Sequence, residues 1–148
     1  MIQRVQSLLL GLVAILHVLL FFVPVFVWDG YHGPEGPLQD VKPMTALYNM
    51  PFIVLNSLII VLSIFIIFQY KARKKQRSFV FVLTAVIVIN ICLYLFYAVR
   101  ITVANEYLFV WTKSIGIYFQ LLSIVLCFFA AKRIKKDEDL VKSVDRIR

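Results

Sequence analysis

Carboxylates are scarce in this 148-residue chain: it has eight Asp and Glu, and its long apolar runs contain none of them. A small proton-coupled exporter exchanges protons for cations at a membrane-embedded carboxylate, so that class is set aside. Histidine is rarer still, with two residues. Only His17 falls in an apolar run while His32 lies between runs, which leaves a bis-imidazole haem one axial ligand short unless a partner supplies the second. The two cysteines, Cys92 and Cys127, stand in separate runs with no Cys-x-x-Cys, so thiol exchange lacks its paired nucleophile and both read as small packing residues. The five glycines form no phosphate-cradling loop, and neither His-Glu-x-x-His nor Gly-x-Ser-x-Gly occurs. These absences point to a protein that is not an enzyme and holds no cofactor and no metal.

What is present is mostly apolar. Hydrophobic residues make up 61% of the chain, charged residues 16%, and the mean hydropathy is +0.87, against about 25% charged residues in an ordinary soluble domain. A helix rising about 1.5 Å per residue needs roughly 20 apolar residues to cross a hydrocarbon core about 30 Å thick. Four uncharged runs approach or meet that length: 8–27, 51–68, 79–99 and 114–131. The expected fold is an all-α membrane protein, with a four-transmembrane-helix bundle over 1–131 and a cytoplasmic C-terminal amphipathic helix over 132–148. A cleaved signal peptide is the rival account of the first run, but Val27-Trp28-Asp29 offers no small-residue cleavage pattern, so the helix is read as retained.

Charge sets the expected orientation. Of the sixteen Lys and Arg, thirteen lie before the first run, between the second and third, or after the fourth. Only Lys42, Arg100 and Lys113 lie on the other side. By the positive-inside rule both termini are cytoplasmic, in a bacterial inner membrane, and the net charge of +8 needs no nucleic-acid partner to explain it. Trp28, Tyr31, Tyr48, Tyr97, Tyr107 and Trp111 fall near the outer ends, where amphipathic rings settle. The outer connection 29–49 carries Gly30, Gly33, Pro34, Gly36, Pro37 and Pro43 and reads as an irregular cap. Its Asp29, His32, Glu35 and Asp40 match no recognised metal-loop spacing.

Polar residues inside the runs recur at helical spacing. Gly116, Gln120, Ser123 and Cys127 share a face of the fourth run; Ser7, Gly11, Ala14 and His17 share one of the first; Asn90, Tyr94 and Tyr97 share one of the third; and the second carries Asn56 and Ser63. Cross-helix hydrogen bonding and close packing is the simpler reading of these faces. The functional reading is an outward-opening polar pocket of His17, Asn56, Asn90 and Gln120, in which His17 is the one ionisable side chain fully within a run. In the tail, Ile134, Leu140, Val141, Val144 and Ile147 lie close to one helical face, which suits either anionic headgroups of the lipid bilayer or a groove on a partner protein.

The two ends carry a resemblance. Met1-Ile2-Gln3-Arg4-Val5-Gln6 running into an apolar helix, and Ala131-Lys132-Arg133-Ile134-Lys135-Lys136-Asp137-Glu138-Asp139-Leu140-Val141-Lys142-Ser143-Val144-Asp145-Arg146-Ile147-Arg148 at the close, are similar to the ends of a family of small four-span inner-membrane proteins of Bacteroidota, a domain of unknown function. The resemblance implies an inner-membrane location and no activity. The expected function is therefore a non-catalytic accessory or assembly subunit of a larger integral membrane complex. A small solute-binding or transport protein using the polar pocket stands second, and a haem- or quinone-associated redox subunit working through His17 stands third.

Overall fold

The computed structural model describes residues 2–29, 42–70, 72–105, 108–109 and 114–145. In chain order they form α1 (Ile2–Leu19), β1 (Phe26–Asp29), β2 (Lys42–Met44), α2 (Met50–Phe68), α3 (Arg73–Asn105), β3 (Leu108–Phe109) and α4 (Ile115–Asp145). The architecture is helical, with a small three-stranded antiparallel sheet at one end in the order β2-β1-β3. The helices pack in a closed ring, each against two neighbours: α1 on α2 and α4, α3 on α2 and α4.

Among the described residues, α2, α3 and α4 contain stretches long and apolar enough to cross a membrane. Pro51 occupies the first turn of α2, where its missing N–H costs nothing, and Asn49 precedes it in extended backbone. Only Phe52, Asn56, Ile59, Ser63 and Ile66 of this helix are buried, a stripe spaced by four and three. Its other large side chains, among them Val54, Leu58, Val61 and Phe65, are exposed. A helix apolar all round with one narrow packed stripe is built to face lipid.

The run 8–27 is not one helix. The helical backbone of α1 ends at Leu19, and its described apolar part, Val5–Leu19, is shorter than the other three. Two tighter bonds follow, Phe21 N to Val18 O and Phe22 N to Leu19 O, and the chain then turns into β1. The cause lies in Pro24, which lacks a donor and pushes Val23 out of helical backbone, followed by the β-branched residues of Val25-Phe26-Val27. Irregular backbone buried against an apolar core needs internal partners, and it has them. Val25 N donates to Met44 O, Ala46 N to Leu20 O, Gly116 N to Pro24 O, and Val27 N to Ser114 Oγ. The connection read as an irregular cap thus contributes a strand: β2 pairs with β1, with Pro43 opposite Val27 on the sheet edge, where a missing ladder donor is tolerated. Residues 30–41, including His32, Glu35 and Asp40, lie outside the described residues.

The tail is not a separate element either. α4 runs 31 residues without a break, about 46 Å at 1.5 Å per residue, so the apolar stretch and the charged tail are one rod. Ala and long-chain residues fill the junction Ala130-Ala131-Lys132-Arg133, and no Gly or Pro interrupts it.

Candidate functional site

Two apolar clusters divide the ring along its length. One contains Leu10, Val13, Ile59, Ile66, Leu83, Ile87, Cys127 and Ile134; the other contains Leu20, Phe26, Met44, Phe52, Tyr94, Ala98 and Ile117. At the boundary each helix contributes a fully buried residue with an imidazole or amide side chain. His17 falls between Val13 and Leu20 on α1, Asn56 between Phe52 and Ile59 on α2, Asn90 between Ile87 and Tyr94 on α3, and Gln120 between Ile117 and Cys127 on α4. The four residues expected to form a pocket therefore share one level of the ring. They do not open outward: all four are 0% exposed, and the second cluster, with the β1–β2 end above it, closes over them.

His17 and Asn56 are in direct contact. Asn56 Nδ2 donates to the His17 carbonyl oxygen at 2.7 Å, which fixes the amide orientation and turns Oδ1 toward the imidazole. Oδ1 lies 2.7 Å from His17 Nδ1, and an amide oxygen can only accept, so Nδ1 carries the proton. In the neutral ring Nε2 is then a bare lone pair, and it has no hydrogen-bond partner among the described residues. Asn90 Nδ2 and Oδ1, Gln120 Nε2 and Oε1, and the Tyr94 hydroxyl are also buried without partners there. Tyr94 borders the layer on α3, its ring stacked on Phe52 with centroids 4.2 Å apart and planes 13° from parallel. A haem does not fit this arrangement, because His17 is enclosed by the closed ring and a macrocycle edge would have to part the helices to reach Nε2.

Other hydroxyl side chains within the apolar runs bond to their own helices. Ser63, Thr84 and Ser123 hydroxyls donate to carbonyls four residues earlier on their own helices. Gly116 meets the turn after α1 and not a helix: a Cβ there would stand 2.8 Å from Val25 Cα and 2.9 Å from Pro24 O.

The opposite end carries a second constellation that sequence reasoning missed. Arg73, the first residue of α3, places Nε 3.1 Å from Asp137 Oδ2 and donates from Nη1 to the Asp137 carbonyl at 3.2 Å. Gln76 Nε2 donates at 3.1 Å to Ile66 O, a carbonyl at the end of α2 that also accepts from Gln69 N. The signal for the clamp was present in the spacing: Cys127, Ala130, Ile134 and Asp137 continue the buried stripe of α4 by three, four and three. That stripe corrects the docking face. Ile134 is fully buried in the first apolar cluster and so is not a surface residue, whereas Leu140 and Val141 are exposed. Val144 and Ile147 lie outside the residues whose side chains are described. Lys132, Lys135, Lys136, Asp139 and Leu140 line an open groove of about 500 Å³ on the same segment.

The sequence pattern of one family, described as a domain of unknown function (DUF4293), matches residues 2–147, nearly the whole chain. The chain belongs to this family. The match runs from the start of α1 through the end of α4, so both the polar layer and the Arg73–Asp137 clamp fall within the family's domain. No curated protein matches the chain.

Proposed function

We propose that this protein is a non-catalytic accessory or assembly subunit of a larger inner-membrane complex. It spans the membrane of a Bacteroidota cell four times, with both termini cytoplasmic, and engages its partner through the cytoplasmic end of α4. The first span is completed by the buried turn and β1 after Leu19, whose backbone groups are satisfied within the protein. The observation that carries the reading is the unbroken α4 held against α3 by Arg73. A tail resting on headgroups needs to turn away from the span at the membrane surface, and no break in the helical backbone of α4 provides a joint for that turn. A stiff post already ordered before binding loses less entropy on docking than a flexible tail. Its exposed Leu140 and Val141, beside Lys132, Lys135 and Lys136, suit a partner groove that is apolar at its floor and acidic at its rim.

The test is co-purification in mild detergent followed by mass spectrometry, comparing wild type with Val141→Asp combined with Val144→Asp. A stoichiometric membrane-protein partner is expected with wild type and is expected to be lost from the variant, while the variant keeps its membrane insertion and its melting temperature. A partner retained by the variant removes α4 from the interface, and no stoichiometric partner with wild type removes the accessory reading.

A further inference from the structure

The layer between the two apolar clusters has more hydrogen-bonding capacity than its side chains satisfy. Six of the atoms at or bordering this level are buried and lack a partner among the described residues: His17 Nε2, both amide atoms of Asn90, both of Gln120, and the Tyr94 hydroxyl. Buried polar groups in native proteins are paired, with protein or with ordered water, because an unpaired one has lost its hydration for nothing. The ring is closed, with each helix against two neighbours, so a side chain from another protein has no route to the layer.

The chemistry of these six atoms defines the ligand. The Asn56 contacts place the ring proton on Nδ1, so in the neutral imidazole His17 Nε2 is an acceptor, and the Tyr94 hydroxyl both donates and accepts. Each free amide presents one oxygen and one NH2, and rotating it exchanges the two positions without removing either. An anion would meet the imidazole lone pair and two amide oxygens, and a cation would meet the N–H groups. Only an uncharged molecule that donates and accepts matches the whole set. We infer that the polar layer is a binding site for small uncharged hydrogen-bonding molecules, with ordered water as the resident ligand. A buried water takes about three hydrogen bonds, and the unpaired atoms on α1, α3 and α4 supply that number. The site differs from the cytoplasmic docking surface in place and in chemistry, and it stands whether or not a partner binds α4.

X-ray radiolytic footprinting of the full chain in lipid nanodiscs tests it, because bound water generates hydroxyl radicals in place and marks adjacent side chains that bulk solvent does not reach. Met44 is an internal control: it is intrinsically more reactive than either Tyr94 or His17, is equally buried at 0%, and sits in the apolar cluster. Tyr94 and His17 are expected to be oxidised at least severalfold faster than Met44, and mixing with H2¹⁸O is expected to introduce the label more slowly at these two residues than at surface sites. Gln120→Leu, which keeps a similar volume, is expected to lower Tyr94 oxidation severalfold while the melting temperature holds. Protection of Tyr94 and His17 equal to that of Met44 overturns the inference, as does fast labelling of all three, which would mean general solvent entry. Unchanged Tyr94 oxidation in a folded Gln120→Leu protein overturns it too.

Discussion

Asn56 does with one amide what usually takes two residues: it accepts from the His17 ring and donates to the His17 backbone, both at 2.7 Å. Asn90, at the same level of the ring, makes neither kind of bond within the described protein. The two asparagines should therefore respond differently to removal. Asn56→Leu is expected to cost about 1–3 kcal/mol in a detergent unfolding titration, because it leaves the Nδ1 proton and a carbonyl without their protein partner, away from bulk solvent. Asn90→Leu removes polar atoms with no protein partner and is expected to stay within about 1 kcal/mol of wild type. Equal costs would mean that the His17–Asn56 pair contributes nothing specific. A similar contrast applies on α4. Gly116→Ala sets a methyl against the backbone of Val25 and Pro24, which cannot swing aside as a side chain tip would, and is expected to cost about 1–3 kcal/mol. Gln120→Leu is expected to be milder, and a melt in which it is the more damaging of the two would contradict the packing at the start of α4.

At the scale of elements, the decisive feature is that α4 does not stop where its apolar sequence stops. Its charged last turns stay helical because Ile134 remains in the core and Asp137 is held by Arg73, with the Asp137 and Arg73 side chains only 12% and 27% exposed respectively. Partial shielding from solvent makes this pair stronger than an ordinary surface ion pair, and the added bond to the Asp137 carbonyl gives it direction. Arg73→Ala is expected to raise amide hydrogen exchange severalfold over 137–145 and to leave the segment 115–127 unchanged, by mass spectrometry of the purified protein. Unchanged exchange over 137–145 would show that helix propensity alone holds the rod. At the other end, α1 hands over to β1 within a few residues, and three backbone hydrogen bonds, Val25 N to Met44 O, Ala46 N to Leu20 O and Gly116 N to Pro24 O, tie that turn to β2, to the approach to α2 and to α4.

For the whole molecule, the closed ring and the exposure of its apolar side chains suit a membrane-spanning unit, and the proposed orientation rests on the distribution of basic residues. Single cysteines in a Cys92→Ser, Cys127→Ala background test that assignment with an impermeant thiol reagent on intact spheroplasts. Leu47→Cys, on the exposed turn before α2, is expected to react, and Lys75→Cys, exposed near the start of α3, is expected to react only after lysis. Labelling of Lys75→Cys in intact spheroplasts would invert the topology.

Periodicity and the absence of charge were enough to identify α2, α3 and the apolar part of α4, since a long run with one narrow polar stripe has few alternatives to a helix against lipid. The same spacing picked out His17, Asn56, Asn90 and Gln120 as inward-facing. Their common level, the His17–Asn56 clamp and the closure of the layer were not legible, because depth along neighbouring helices depends on how antiparallel elements slide past one another, which no single segment encodes. Residues 20–27 misled for a related reason: they are apolar enough for a helix, and only pairing with β2 and β3 makes extended backbone the better state after Pro24. In the tail, the amphipathic pattern was real but its phase was not decided locally. Ile134 and Asp137 turn inward because α3 begins beside them, so the surface left for a partner is set by tertiary contact, while the sequence alone determined that a helix would be there to present it.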